Sequence, residues 1–244
     1  MGIIIKKTIT IKDENDWFRV APPKGKEKQW KDGYSAKEFA KFVSYGDFKE
    51  LVQSVLNEIS IKTRADFIGE PEVETKLPQR GEGRNHDLLL YNKDVVIGIE
   101  AKVNEPFGDN SIHEEYNNPK TSNNKKERIE KLLEMIVPGK SIEDLEIKNL
   151  QYQLFTATAG TLLEAYDKGN DKCVFLVLTF HEKEHEANPD NKEAFKKFVN
   201  VVCDEGQNSQ VFRVKRDDDT EGKDITCWFI ERDIAFTPQT FKID

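Results

Sequence analysis

Between Arg80 and Gly108 the chain reads RGEGRNHDLLLYNKDVVIGIEAKVNEPFG, and no other stretch leaves so few choices for the fold. Two short β-rich apolar runs, His86 to Tyr91 and Val95 to Ile99, flank Asn92-Lys93-Asp94. Runs of this kind joined by an Asn/Asp turn predict an antiparallel hairpin. The hairpin sets the start of its first strand, at Asp87, beside the end of its second, Glu100-Ala101-Lys102. Strand side chains alternate in direction, so Glu100 and Lys102 share a face while Ala101 points away. Two carboxylates and one ammonium are therefore expected to converge at one edge of a sheet.

Such a trio suits metal-assisted hydrolysis of a phosphodiester. Two carboxylates, helped by a backbone carbonyl such as that of Ala101 or Val103, offer Mg²⁺ the hard oxygen ligands it favours. A bound divalent cation lowers the pKa of its water and neutralises charge developing on the phosphate. Lys102 beside it can orient the attacking water or stabilise the phosphorus oxyanion. The spacing Asp-x(12)-Glu-x-Lys resembles that of the PD-(D/E)XK nuclease superfamily, with His86 where the nominal motif has proline. The EAKV-EPFG segment, with Tyr152-Gln153-Leu154 and Thr158-Ala159-Gly160, is also similar to restriction-endonuclease-like proteins of bacteria, over about Trp30 to Phe180. The resemblance implies an α/β fold with a restriction-endonuclease-like core, α-β-β-β-α-β, in which helices flank a mixed central sheet. It implies an endonuclease using Mg²⁺ or Mn²⁺, with Asp87 and Glu100 on the metal and Lys102 serving the nucleophile. A glutamine on the helix after the core strands is implied as support, and Gln153 is the better choice over Gln151.

Other candidates come from the residues around the hairpin. Glu72 to Leu77 alternates, with Val73, Thr75 and Leu77 on one face and Glu72, Glu74 and Lys76 on the other. If the charged face turns to the site, Glu74 is a third metal carboxylate; the alternative is a polar edge facing water. Glu58 and Glu50, on a preceding helix, are weaker candidates for that role. The glycine-rich loop before Asp87 carries Arg80 and Arg84, whose guanidinium groups suit phosphate oxygens. His86 is a candidate acid/base, although a lone histidine beside a strand is more often structural.

At 244 residues the chain is expected to be one domain, with residues 1–34 as an N-terminal arm and 104–148 as an insertion. Trp17 and Trp30 are expected to anchor the arm. Ser35-Ala36-Lys37-Glu38 has the form of a capping box, opening a helix that runs to about Ile59 and is divided near Gly46. The insertion carries Lys120, Lys125, Lys126, Arg128 and Lys131 and a helix from Lys125 to Ile136, suited to clamping a substrate. A helix over Asn149–Tyr166 precedes a buried strand, Cys173 to Phe180, then a helix over Asn188–Val202 and strands at Gln210–Val214 and Thr226–Glu231.

Three cysteines without paired spacing exclude a disulfide framework and fit a reducing cytoplasm. The N-terminal segment has no secretory h-region, and no apolar run approaches the ~20 residues of a membrane span. A net charge of −8 sits awkwardly with DNA binding, which draws its affinity from lysines and arginines. A local basic surface, a protein partner or a homodimer is expected to make up the difference. The alternative function is a non-catalytic binding or scaffold subunit that keeps the nuclease fold.

Overall fold

The computed structural model describes residues 2–79, 81–103, 105–182, 189–216 and 219–236, with only the backbone at 182, 189 and 236. Its centre is the hairpin. β3 (Arg84–Tyr91) and β4 (Val96–Lys102) pair antiparallel, with Leu88 opposite Ile99 and Tyr91 opposite Val96. Asn92 makes the turn, because its side-chain oxygen accepts from the amides of Asp94 and Val95. β2 (Phe67–Thr75) lies antiparallel along β3, and β1 (Ile3–Ile5) runs parallel along β2. Beyond β4 come β5 (Lys172–Glu182) and β7 (Lys223–Phe236), each parallel to its predecessor, and then antiparallel β6 (Ser209–Val214). Among the described residues this is a seven-stranded mixed sheet in the order β1-β2-β3-β4-β5-β7-β6.

Helices cover both faces, which is why every residue of β4 is buried. On one face α5 (Asn123–Ile136), α6 (Tyr152–Asp167) and α7 (Pro189–Val202) share a core with Leu89, Val96, Phe175 and Phe229. On the other, α1 (Glu14–Val20), α2 (Ser35–Tyr45) and α3 (Phe48–Glu58) pack over Leu88, Ile97, Ile99 and Leu176. α6 links β4 to the parallel β5, a connection that two parallel neighbours require. No helix of the described residues is long and apolar enough to cross a membrane. All three cysteines are buried and unbridged.

Several local expectations need correction. Ser35 does not cap α2; Tyr34 holds that position without a side-chain bond, and Glu38 instead accepts from the Gly33 amide at 2.9 Å. The first strand ends at Ile5 rather than near Ile11, followed by an isolated bridge between Lys6 and Thr10. β2 begins at Phe67, several residues ahead of the alternating segment. α4 (Ile112–Asn117), opened by a complete Ser111/Glu114 capping box, precedes α5. Within the segment 104–148, Ile112, Ile129, Leu132 and Ile136 are buried in one cluster with Leu154 and Leu162 of α6. Its first residue, Asn104, and the expected helix start at Asn188 lie outside the described residues.

Candidate active site

The trio forms where the hairpin strands part. Backbone pairing between β3 and β4 runs only from Leu88/Ile99 to the turn. One residue further, the Asp87 carboxylate takes the place of a strand partner, accepting from the Ala101 amide at 2.7 Å. Asp87 is thereby held against the backbone between Glu100 and Lys102. Glu100 is almost wholly buried and engaged at both oxygens. Oε1 lies 3.0 Å from Lys102 Nζ and accepts from Gln153 Nε2 at 2.6 Å, while Oε2 pairs with Arg84. Lys102 is also buried, its ammonium 5.6 Å from the centre of the Phe107 ring.

A change of face in two strands creates this corner. Gly69 on β2 lies against Ile5, Leu88 and Leu90, yet Val73 packs with the α6 layer and Thr75 donates to Glu164 of α6. Strict alternation would put Gly69 and Val73 on one face. The exchange falls at Glu72, a non-glycine residue at φ 51°, and the register of Pro71 with Leu88 and Val73 with His86 sets Glu72 across from Asp87. β3 turns over at the same level, since Leu88 faces the α2/α3 layer while His86 lies against Gly98 and Gly160.

Burial in this crowd of charges shifts the titrating groups. Asp87 is raised, chiefly by burial, against the lowering pull of the Ala101 amide, Lys102 and Arg84. Burial also raises Glu72, with the Asp87 charge adding to it, to about 8. Lys102 is lowered by burial, with Asp87 opposing. For His86, burial first and the Arg84 charge second depress the imidazole to about 3. His86 is buried and wedged between sheet and helix, against Gly98 and Gly160.

The remaining candidates divide clearly. Gln153 and Arg84 both reach Glu100, whereas Gln151 lies in a backbone bridge with Ser111. Arg80 lies outside the described residues. Glu74 is exposed, and its carboxylate accepts from the Gly83 amide at 2.9 Å, so it closes the loop rather than facing Asp87. Glu58 pairs with Arg232. Glu72 and Glu105 are the carboxylates whose charges bear on Asp87. Sequence reasoning passed over Glu72 because alternation grouped it with Glu74; only the positive φ separates them. The EPFG segment was the available signal for Glu105, whose carboxylate accepts from the Val103 amide at 3.2 Å.

The donor set has the chemistry of a hard cation's site. Asp87 and Glu100 offer carboxylate oxygens, and the Gln153 carbonyl oxygen is buried without a hydrogen-bond partner, as is Arg84 Nε. Buried polar atoms are ordinarily satisfied, so an unpartnered acceptor and donor beside two carboxylates fit a site built to take a charged ligand. Among the described residues no group of three or more histidine, cysteine, aspartate or glutamate side chains is placed to hold a metal ion. No curated protein and no solved structure matches the chain. A family model described as a domain of unknown function (DUF6946) matches residues 10–233, and the chain belongs to that family.

Proposed function

We propose that the protein is a divalent-metal-dependent nuclease with a restriction-endonuclease-like core, acting on nucleic acid and on DNA in the first place. The observation that carries this is Asp87 bonded to the Ala101 amide between Glu100 and Lys102, at the point where β3 and β4 separate. The succession α2/α3, β2, β3, β4, α6, β5, with α4 and α5 added between β4 and α6, supports a core of α-β-β-β-α-β order. Asp87 and Glu100 would hold Mg²⁺ or Mn²⁺, with the Gln153 oxygen as an auxiliary donor. When bound, the metal supplies a water of lowered pKa and neutralises charge on the phosphate. Lys102, its ammonium weakened by burial, orients the attacking water and meets charge building on the phosphorus oxygens. Arg84 offers its guanidinium to a phosphate oxygen in exchange for Glu100. Phe107 and the buried wall behind Lys102 keep bulk water from these charges.

The test uses Glu100→Gln and Asp87→Asn with single- and double-stranded DNA and RNA in Mg²⁺ or Mn²⁺. Wild type is expected to cleave, and each variant to lose on the order of 100-fold or more while keeping its circular dichroism spectrum. Wild-type protein inert on all of these, with no heat of metal binding in calorimetry, ends the reading. A non-catalytic subunit of the same fold draws support from one feature: Glu100 is already engaged by Arg84, Lys102 and Gln153. The same calorimetry separates the two, since a scaffold has no need of the metal.

A further inference from the structure

Backbone carbonyls of the stretch that leads into Arg84 are held from α5. Arg128 of α5, a buried arginine, donates to the carbonyls of Pro78 at 3.1 Å, Glu82 at 2.7 Å and Gln79 at 3.4 Å. Gly81, at φ 133°, passes so close that a Cβ there would lie 2.6 Å from an Arg128 nitrogen. The Glu82 side chain takes no part in this anchoring. It points to solvent and meets Lys24 of the N-terminal arm at 2.9 Å, in a pair exposed on both sides. Its carboxyl is held below the usual carboxylate range by Lys24 first, with Lys125 and Arg128 of α5 adding to the pull. Lys24 in direct contact, and Lys125 and Arg128 of α5 through their charge, thus act on one exposed carboxylate two residues before the arginine that reaches Glu100. Lys26 and Lys28 continue the exposed basic run on the arm, and Lys125, which pairs with Glu115, rides over the Tyr152 ring.

We propose that this rim, Lys24 on the arm and Lys125 on α5, receives the phosphodiester backbone of a nucleic acid, and that Glu82, two residues before Arg84, occupies a phosphate position until the strand arrives. The inference rests on the nuclease reading for the identity of the polyanion. It bears on the conflict between a net charge of −8 and a nucleic-acid substrate, because Lys24, Lys125 and Arg128 all act on one exposed carboxylate. An exposed ion pair holds little free energy, so a phosphate can displace it readily. The loop keeps its place on release, since Arg128 grips the backbone and not the side chain.

Fluorescence anisotropy in EDTA, with labelled duplex DNA, single-stranded DNA and RNA, tests this without cleavage. Glu82→Gln is expected to tighten binding about threefold or more at low salt, as one repelling charge leaves a phosphate's path. Lys24→Ala is expected to weaken it, with the slope of log affinity against log salt reduced by about one. Glu50→Gln, the same charge change on an exposed position of α3, is expected to leave affinity unaltered. The opposite signs at Glu82 and Lys24 are the signature, and the probe that gives them identifies DNA or RNA as the source of the phosphates. If the pair merely ties the arm down, both substitutions act in the same direction, and the proposal is wrong. Equal tightening by Glu50→Gln, or no binding of any probe by wild type and Glu82→Gln alike, also overturns it. Hydrolysis of bis(4-nitrophenyl) phosphate with Mn²⁺, compared between wild type and Glu100→Gln, runs beside these titrations. Hydrolysis that depends on Glu100 while affinity ignores Glu82 and Lys24 removes the rim alone; loss of both removes the nuclease reading with it.

Discussion

Glu72 carries a cost in both backbone and side chain. Its φ of 51° is a conformation that non-glycine residues rarely adopt, and such residues cost of order 1–3 kcal/mol and gather at functional sites. Its carboxyl sits opposite Asp87 with a single side-chain donor, Asn85 Nδ2 at 3.3 Å. The folded protein holds this proton to about pH 8, whereas the unfolded chain releases it near the model-peptide value of 4.5. Between those values the native state binds more protons, so the contribution to stability is fully present below the unfolded pKa and is lost as pH rises towards 8. Glu72→Gln, which keeps shape and charge neutrality, should flatten that dependence. Urea midpoints measured in EDTA at about pH 5 and about pH 8.5 check it. Equal slopes in the two proteins would show that Glu72 is ionised like any surface glutamate.

α6 is the element that joins the site to the sheet. It brings Gln153 to Glu100 with its first turn and packs its middle on β3 and β4 through small residues. His86 fills the space between Gly98 of β4 and Gly160 of α6: a Cβ at Gly160 would come within 2.7 Å of His86 Nε2 and 3.3 Å of Arg84 Cγ. His86 is buried and has nowhere to retreat. Gly160→Ala is therefore expected to destabilise the fold by about 1–3 kcal/mol, despite alanine's higher helix propensity. Chemical denaturation reads the result, and a stabilised variant would show that helix and sheet are less tightly docked than this contact implies. The two glycines and the histidine stand in the sequence without any periodic pattern to connect them. The helix itself was legible from its apolar spacing, to within three residues at its start.

Across the whole molecule the arm belongs to the core rather than hanging from it. Trp17 is buried against Phe39, ring centres 5.7 Å apart, and Phe39 and Phe42 in turn pack on Phe180 of β5. β1 covers the outer edge of β2. Deletion of residues 1–34 should bare this aromatic surface and leave an unpaired strand edge, a combination that promotes association. Aggregation or a void-volume peak in size-exclusion chromatography is the expected outcome. A monodisperse truncated protein with the wild-type unfolding midpoint would mean that the arm is dispensable for folding. The acidic total of −8 says little about where binding occurs, since Lys24 and Lys125, 101 residues apart in sequence (125 − 24), both bear on the Glu82 carboxylate.

The sequence alone determined the hairpin, its Asn92 turn, the meeting of Asp87 with Glu100 and Lys102, and the sheet's buried central strands. Those follow from local periods of 2 and 3.6 residues and from one short turn, which act within a few positions of the chain. Only the tertiary structure decided that Glu72 rather than Glu74 neighbours Asp87, that Arg84 and Gln153 close on Glu100, and that Ile112, Ile129, Leu132 and Ile136 are buried with α6. The Gln153 contact joins residues 53 apart, and the choice of Glu72 turns on one backbone angle at a change of face. Both depend on how whole layers pack, so no local pattern encodes them.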